Sequence, residues 1–201
     1  MKKLLLTSNG LSSRKLRKEF VKLLNKPVEE TKVLIMYTQR RRYKRHIRKI
    51  KRTLVLSGIN KKNIILANIS KKTKKNYDFD IFFSCGGNTF YILDRVRKTG
   101  FDKIIKKAVK KGKIYISVSA GSIIVHKSIE IAGWGKWGDI NEINLKNLKG
   151  LNLTNLAIYP HYLKIMKKSV DEFKKKVKYP VKEIRDRQAV LILGNKIKFL
   201  H

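Results

Sequence analysis

The stretch KIYISVSAGSIIVH, residues 113–126, runs an apolar-rich strand into a corner of small residues and then into a second apolar run. Between Lys113 and Lys127 there is no Lys, Arg, Asp or Glu, in a chain that holds 49 Lys and Arg among its 201 residues. Packing supplies one reason, because a buried strand feeding a buried helix needs small side chains where the two backbones approach. Chemistry supplies another. Ser117, Ser119 and Gly121 fill a small-x-Ser-x-Gly pattern, in which a tight strand-to-helix turn lifts a serine hydroxyl above the sheet. A helix opening at Ala120 would aim its free N–H groups and positive dipole end at charge developing beside Ser119.

Working outward, short apolar runs alternate with longer amphipathic ones. The runs at 4–7, 33–37, 64–68, 80–84 and 114–118 read as strands. Segments 13–25, 43–57 and 89–111 have apolar spacing near three and four, as in Tyr43, Ile47, Ile50 and Leu54, and read as helices. Such alternation predicts an α/β fold: a doubly wound, mostly parallel sheet with helices on both faces and active residues at the strands' carboxyl ends. After residue 126 the pattern loosens through IEIAGWGKWGDINEI, a flexible glycine loop whose Trp134 and Trp137 would wall the site or form a subunit contact. A strand at 156–159, a helix from 163 to about 177, and strands joined by a Gly194-Asn195 hairpin turn follow. With no repeat, linker or low-complexity boundary, residues 1–201 read as one domain.

The hydrophobic fraction of 42% is near the globular average, so 31% charged residues do not imply disorder. No apolar run nears the roughly 20 residues of a membrane span, and the expected location is cytoplasmic, with no membrane partner. Cys85 is the only cysteine, which excludes an intrachain disulfide and a cysteine-only metal site; it reads as a small buried residue. The formal charge of +35 invites a nucleic-acid reading, concentrated in QRRRYKRHIRKIKR at 39–52. Because the basic residues spread from Lys2 to Lys198, solvated faces are favoured over a polyanion site.

A second glycine corner, SCGGNTFYIL at 84–93, also follows a strand and opens a helix. Gly86 and Gly87 permit close backbone approach, and the Gly87 N–H would pair with that of Ala120 as an oxyanion hole. The plainer reading is a turn capped by Asn88 or Thr89. A serine nucleophile needs a base. His46 lies in the basic helix, His126 on the helix behind the corner and His201 at the terminus, whereas His161 follows IYP at the carboxyl end of a strand.

The pieces GGNTF, VSAGS and YPHY, in this order, resemble the peptidase E (alpha-aspartyl dipeptidase) family of serine peptidases, whose fold is similar to the class I glutamine amidotransferase domain and flavodoxin-like. LLLTSNGLSS, IEIAGWG and LKGLNL look like the same family, so the resemblance covers nearly the whole chain. It implies that Ser119 is the nucleophile, His161 the general base and acid, Gly87 and Ala120 the oxyanion donors, and short peptides beginning with aspartate the substrates, with no cofactor or metal. The third triad member is Asp139, Glu142 or Asp186, with Asp186 slightly preferred to Glu142. Asn88 and an arginine (Arg40, Arg185 or Arg187, with Arg185 preferred) would hold the substrate. The chain departs from the family where Ser117 and Cys85 replace glycines, Leu163 an acidic residue and Arg187 a glycine. The alternatives are a weakened homologue that binds a polyanion such as RNA, or a cyanophycinase-like hydrolase of an aspartate-rich polymer; a monomer or homodimer is expected.

Overall fold

The computed structural model describes residues 1–39, 43–72 and 77–201. Arg40, and with it residues 41 and 42 of the basic stretch, lies outside them.

Among the described residues seven strands form the main sheet: β1 (Lys3–Thr7), β2 (Val33–Tyr37), β3 (Ile64–Asn68), β4 (Ile81–Ser84), β5 (Ile114–Val118), β8 (Ala189–Leu193) and β9 (Lys196–Leu200), in the spatial order β3-β2-β4-β5-β1-β8-β9. The first five are mutually parallel, and β8 and β9 extend the sheet antiparallel. Two strands, β6 (Ala157–Tyr159) and β7 (Val181–Glu183), pair in parallel as a separate small sheet.

Side-chain alternation divides the core. Leu4, Leu6, Leu34, Met36, Phe82 and Tyr115 point to one face, where α3 (Thr89–Lys98), α4 (Phe101–Lys110) and α6 (Lys167–Lys176) cover them. Leu5, Val33, Ile35, Ile81, Phe83, Ile114 and Ile116 point to the other, under α1 (Arg14–Val21) and α2 (Tyr43–Val55). Strands buried on both faces need continuous apolar runs, which is why the sequence there lacks the alternation of a half-exposed sheet. The doubly wound α/β architecture expected from the sequence is the one observed.

Two expectations change. The helix expected over 89–111 is two helices, broken at Gly100, whose φ of +81° leaves the right-handed region. The glycine loop after residue 128 is anchored: Trp134 Nε1 donates to the Ser169 carbonyl at 2.7 Å and its ring packs on Phe173. Among the described residues no helix is long and apolar enough to cross a membrane.

Candidate active site

Topology assembles the site. Strand β5 lies between β4 and β1, and all three end at the same edge, with Val118 paired to Thr7 and Ser117 to Ser84. The residues just beyond those ends are therefore neighbours: Ser8 after β1, Gly86 and Gly87 after β4, and Ser119 after β5. Because β8 runs antiparallel to β1 with Ala189 opposite Thr7, the turn preceding β8 arrives at that same edge. Parallel pairing of β6 with β7 then sets Tyr159 beside Glu183, so the segments leaving both strands, with His161 on one and Asp186 on the other, emerge together. The Ile184 N–H on the Tyr159 carbonyl (2.9 Å) and the Tyr162 N–H on the Ile184 carbonyl (3.1 Å) continue that pairing past the strands.

The small residues of the corner follow from contact distances. Helix α5 is a single turn, Ala120–Ile123, and Ser119 before it has φ 50° and ψ −114°. A Cβ on Gly121 would lie 2.6 Å from Ser84 Oγ and 3.1 Å from Ser117 Cβ, so no side chain fits there. Ser117, where a glycine was expected from the resemblance, is accommodated by hydrogen bonding: its Oγ is 2.7 Å from Ser122 Oγ, which donates to the Thr7 carbonyl at 2.8 Å. Tyr115 donates its hydroxyl to the Gly121 carbonyl at 2.8 Å. These buried bonds fix the turn that projects Ser119. With four residues, α5 has little of the macrodipole expected from the sequence; its first N–H groups, which have no intrahelical acceptor, are the donors it offers.

Ser119 and His161 line two cavities together. One, of about 200 Å³, is completed by Asn9, Gly10, Gly86, Gly87 and the α2 residues His46, Lys49, Ile50 and Thr53. The other, of about 90 Å³, is walled by Ile123, Ile131, Trp137, Tyr159 and Met166. His161 Nδ1 is 2.9 Å from Asp186 Oδ1. A carboxylate only accepts, so Nδ1 is the donor in this pair. Burial pushes the Asp186 carboxyl upward, but hydrogen bonds from Ser8, His161 and Asn9, with the charge of His161, outweigh it and hold the group below the ordinary aspartate value.

The other candidates have different partners. Asp139 lines the smaller cavity with Ser119 and His161, but its carboxylate accepts from Thr89 N (2.8 Å) and Thr89 Oγ1 (2.6 Å), capping α3. Asn88 is the N-cap of α3, accepting from Tyr91 N, and donates to the Ile140 carbonyl at 2.7 Å; the cavity linings do not include it. Glu142 is on an exposed loop, away from both cavities. Arg185 and Arg187 are exposed and likewise outside the linings; among the described residues, the ammonium that shares a cavity wall with Ser119 is that of Lys49 on α2. His126 is fully buried against Tyr179 (4.4 Å between ring centres), past the end of α5 rather than on it, and burial lowers its pKa. Cys85 is buried, and burial pushes its thiol up to about 12, which makes it inert. Sequence reasoning gave Ser8 and Lys49 no place in the site and set His46 aside as part of the basic helix, whereas His46 and Lys49 both line the larger cavity. The last two share one face of α2, at the spacing that also brings Ile50 and Thr53 to the cavity.

The model of peptidase family S51 matches residues 4–200. An uncharacterized peptidase of Listeria innocua is 32% identical over 141 residues, covering 65% of this chain and 66% of that protein. One from Pasteurella multocida is 26% identical over 140 residues (67% and 64%), and one from Listeria monocytogenes is 41% identical over 64 residues (32% and 30%). The chain thus spans less than two thirds of the length of the curated relatives it matches. Among solved structures, a protein provisionally named peptidase E from Listeria monocytogenes EGD-e superposes with a TM-score of 0.80 over 100% of this chain and 98% of that one, at 24% identity. A peptidase from an acI-B1 Actinobacterium follows with a TM-score of 0.71, 14% identity, and coverage of 100% and 87%. At these identities the two structures share the fold.

Proposed function

The chain belongs to peptidase family S51, and we propose that it hydrolyses short peptides, dipeptides with an N-terminal aspartate foremost, by nucleophilic attack of Ser119. The observation that carries this reading is that Ser119 and His161 line the walls of the same two cavities, with Asp186 hydrogen-bonded to His161 Nδ1. In this mechanism His161 Nε2 takes the Ser119 proton as Oγ attacks the peptide carbonyl, and returns it to the leaving amine; Asp186 keeps the ring in the Nδ1–H form and stabilises the imidazolium. The Gly87 and Ala120 amides receive the oxyanion, an arrangement supported by the place of Gly87 in the same cavity wall and of Ala120 at the first position of α5.

Substrate preference is supported by Lys49. It lines the larger cavity along with Ser119 and donates to Asn9 Oδ1 at 2.8 Å. An ammonium in the wall of the same cavity favours a carboxylate-bearing substrate residue. The test is a panel of dipeptides varied at the first residue. Asp-X peptides should turn over fastest, and Ser119→Ala should abolish that turnover while the protein keeps its fold; hydrolysis undiminished in Ser119→Ala overturns the assignment.

A further inference from the structure

Ser8 is the first residue beyond β1, and it is fully buried. Its polar atoms reach all three members of the site. The Ser8 carbonyl accepts the Ser119 N–H at 3.1 Å, shared with the Thr7 carbonyl at 3.0 Å. The Ser8 hydroxyl donates to Asp186 Oδ1 at 2.8 Å, accepts the backbone N–H of His161 at 2.9 Å, and lies 3.3 Å from His161 Nδ1. A hydroxyl has one proton and two lone pairs, so donating to the carboxylate leaves it free to accept from the histidine backbone.

Both groups it holds need holding. His161 sits at φ 56°, a sparsely populated conformation for a residue other than glycine, which persists only where neighbours fix it. The Asp186 side chain is about half exposed (53%) and would turn toward water without partners. Ser8 occupies its Oδ1 and Asn9 donates to its Oδ2 at 3.2 Å, which together set the plane of the carboxylate.

We propose that Ser8 is the positioning residue of this site: through one hydroxyl it locks the backbone of His161 and the carboxylate of Asp186, so that Nε2 faces Ser119. The catalytic consequence rests on the serine-hydrolase reading above; the effect on the imidazole does not. Two measurements separate them. In the first, kcat and KM are measured on Asp-X dipeptides for Ser8→Ala and for Ser8→Thr, which retains the hydroxyl. Misplacing a general base by a fraction of its hydrogen-bond length should lower kcat about 10- to 100-fold while KM stays within about threefold, and Ser8→Thr should recover most of the loss. In the second, the tautomer of neutral His161 is read from its ring 15N shifts. The wild type should show the Nδ1–H form, and Ser8→Ala a mixture of both.

A Ser8→Ala protein with kcat within about twofold of wild type, or with the wild-type His161 tautomer, overturns the proposal. Should Ser8→Ala fail to fold, Ser8→Cys preserves the volume with a much weaker donor and must show the same losses in milder form. A wild-type enzyme that cleaves no peptide would sink the functional reading alone, and the tautomer comparison would still decide the role of Ser8.

Discussion

Three residues other than glycine take a left-handed backbone around the site: Ser119 at φ 50°, His161 at 56° and Arg187 at 71°. In the proposed mechanism the strain at Ser119 and His161 would set the reacting groups, whereas Arg187 only turns the chain after Asp186. Glycine should do that more cheaply. Arg187→Gly is expected to raise stability by about 0.5–1 kcal/mol after allowing for its looser unfolded chain, measurable as a rise in Tm with activity retained. Asp186→Asn, which keeps the shape but no longer enforces the Nδ1–H tautomer, should lower kcat about 10⁴-fold and leave KM nearly unchanged. Lys49→Glu should reduce kcat/KM for Asp-X peptides at least about tenfold and improve Lys-X peptides relative to them. Sequence spacing singled out Ser119 and His161 because each closes a strand with a distinctive local pattern. It preferred Asp186 to Glu142 only slightly and left Asp139 open, since the choice depends on β6 pairing with β7 in parallel, and nothing local in either segment states its partner. Ser8 was invisible for the same reason: its role comes from partners as far as 178 residues away.

Among the elements, α5 is the most tightly specified. Gly121 lies so close to Ser84 and Ser117 that Gly121→Ala must push the helical turn off the sheet. A loss of about 1–3 kcal/mol is expected from chemical denaturation, together with a fall in kcat larger than the stability change explains, because the same movement displaces Ser119. The strands of the main sheet were legible because each is a short apolar run bounded by turn residues, and the Gly194-Asn195 hairpin because its turn chemistry is local. The break between α3 and α4 was not, because apolar spacing runs through Gly100 in step on both sides: Phe90, Leu93, Val96, then Phe101, Ile105, Ala108. Only the glycine's positive φ marks the change of direction. The small β6–β7 sheet was missed as a unit, since its strands are three residues each and separated by a helix.

Over the whole molecule, a formal charge of +35 makes self-repulsion the dominant long-range term. Screening should relieve it: raising salt from low ionic strength to about 0.5 M, where the Debye length falls below about 10 Å, is expected to raise Tm. Acid should act in the opposite direction through two sets of groups. Burial keeps His126 neutral in the folded state, so its contribution is complete above about pH 6.5 and is lost as pH falls through its lowered folded value. Burial pushes Asp94 and Glu183 upward, but Arg95 and Lys98 at the first and Lys174 at the second outweigh it, so both titrate below the ordinary carboxylate range and their stabilisation disappears below about pH 4. Tm should therefore decline in two stages, and His126→Gln should remove only the first. The order of the site's parts along the chain has one more consequence, for biosynthesis. Ser8, Ser119 and His161 leave the ribosome before Asp186 and the β8 strand whose pairing with β1 brings that carboxylate to the sheet edge. On the proposed mechanism, a nascent chain would hold Ser119 and His161 before it holds the carboxylate that orients the imidazole, so hydrolysis of Asp-X dipeptides should begin only once Asp186 has been translated and β8 has paired with β1.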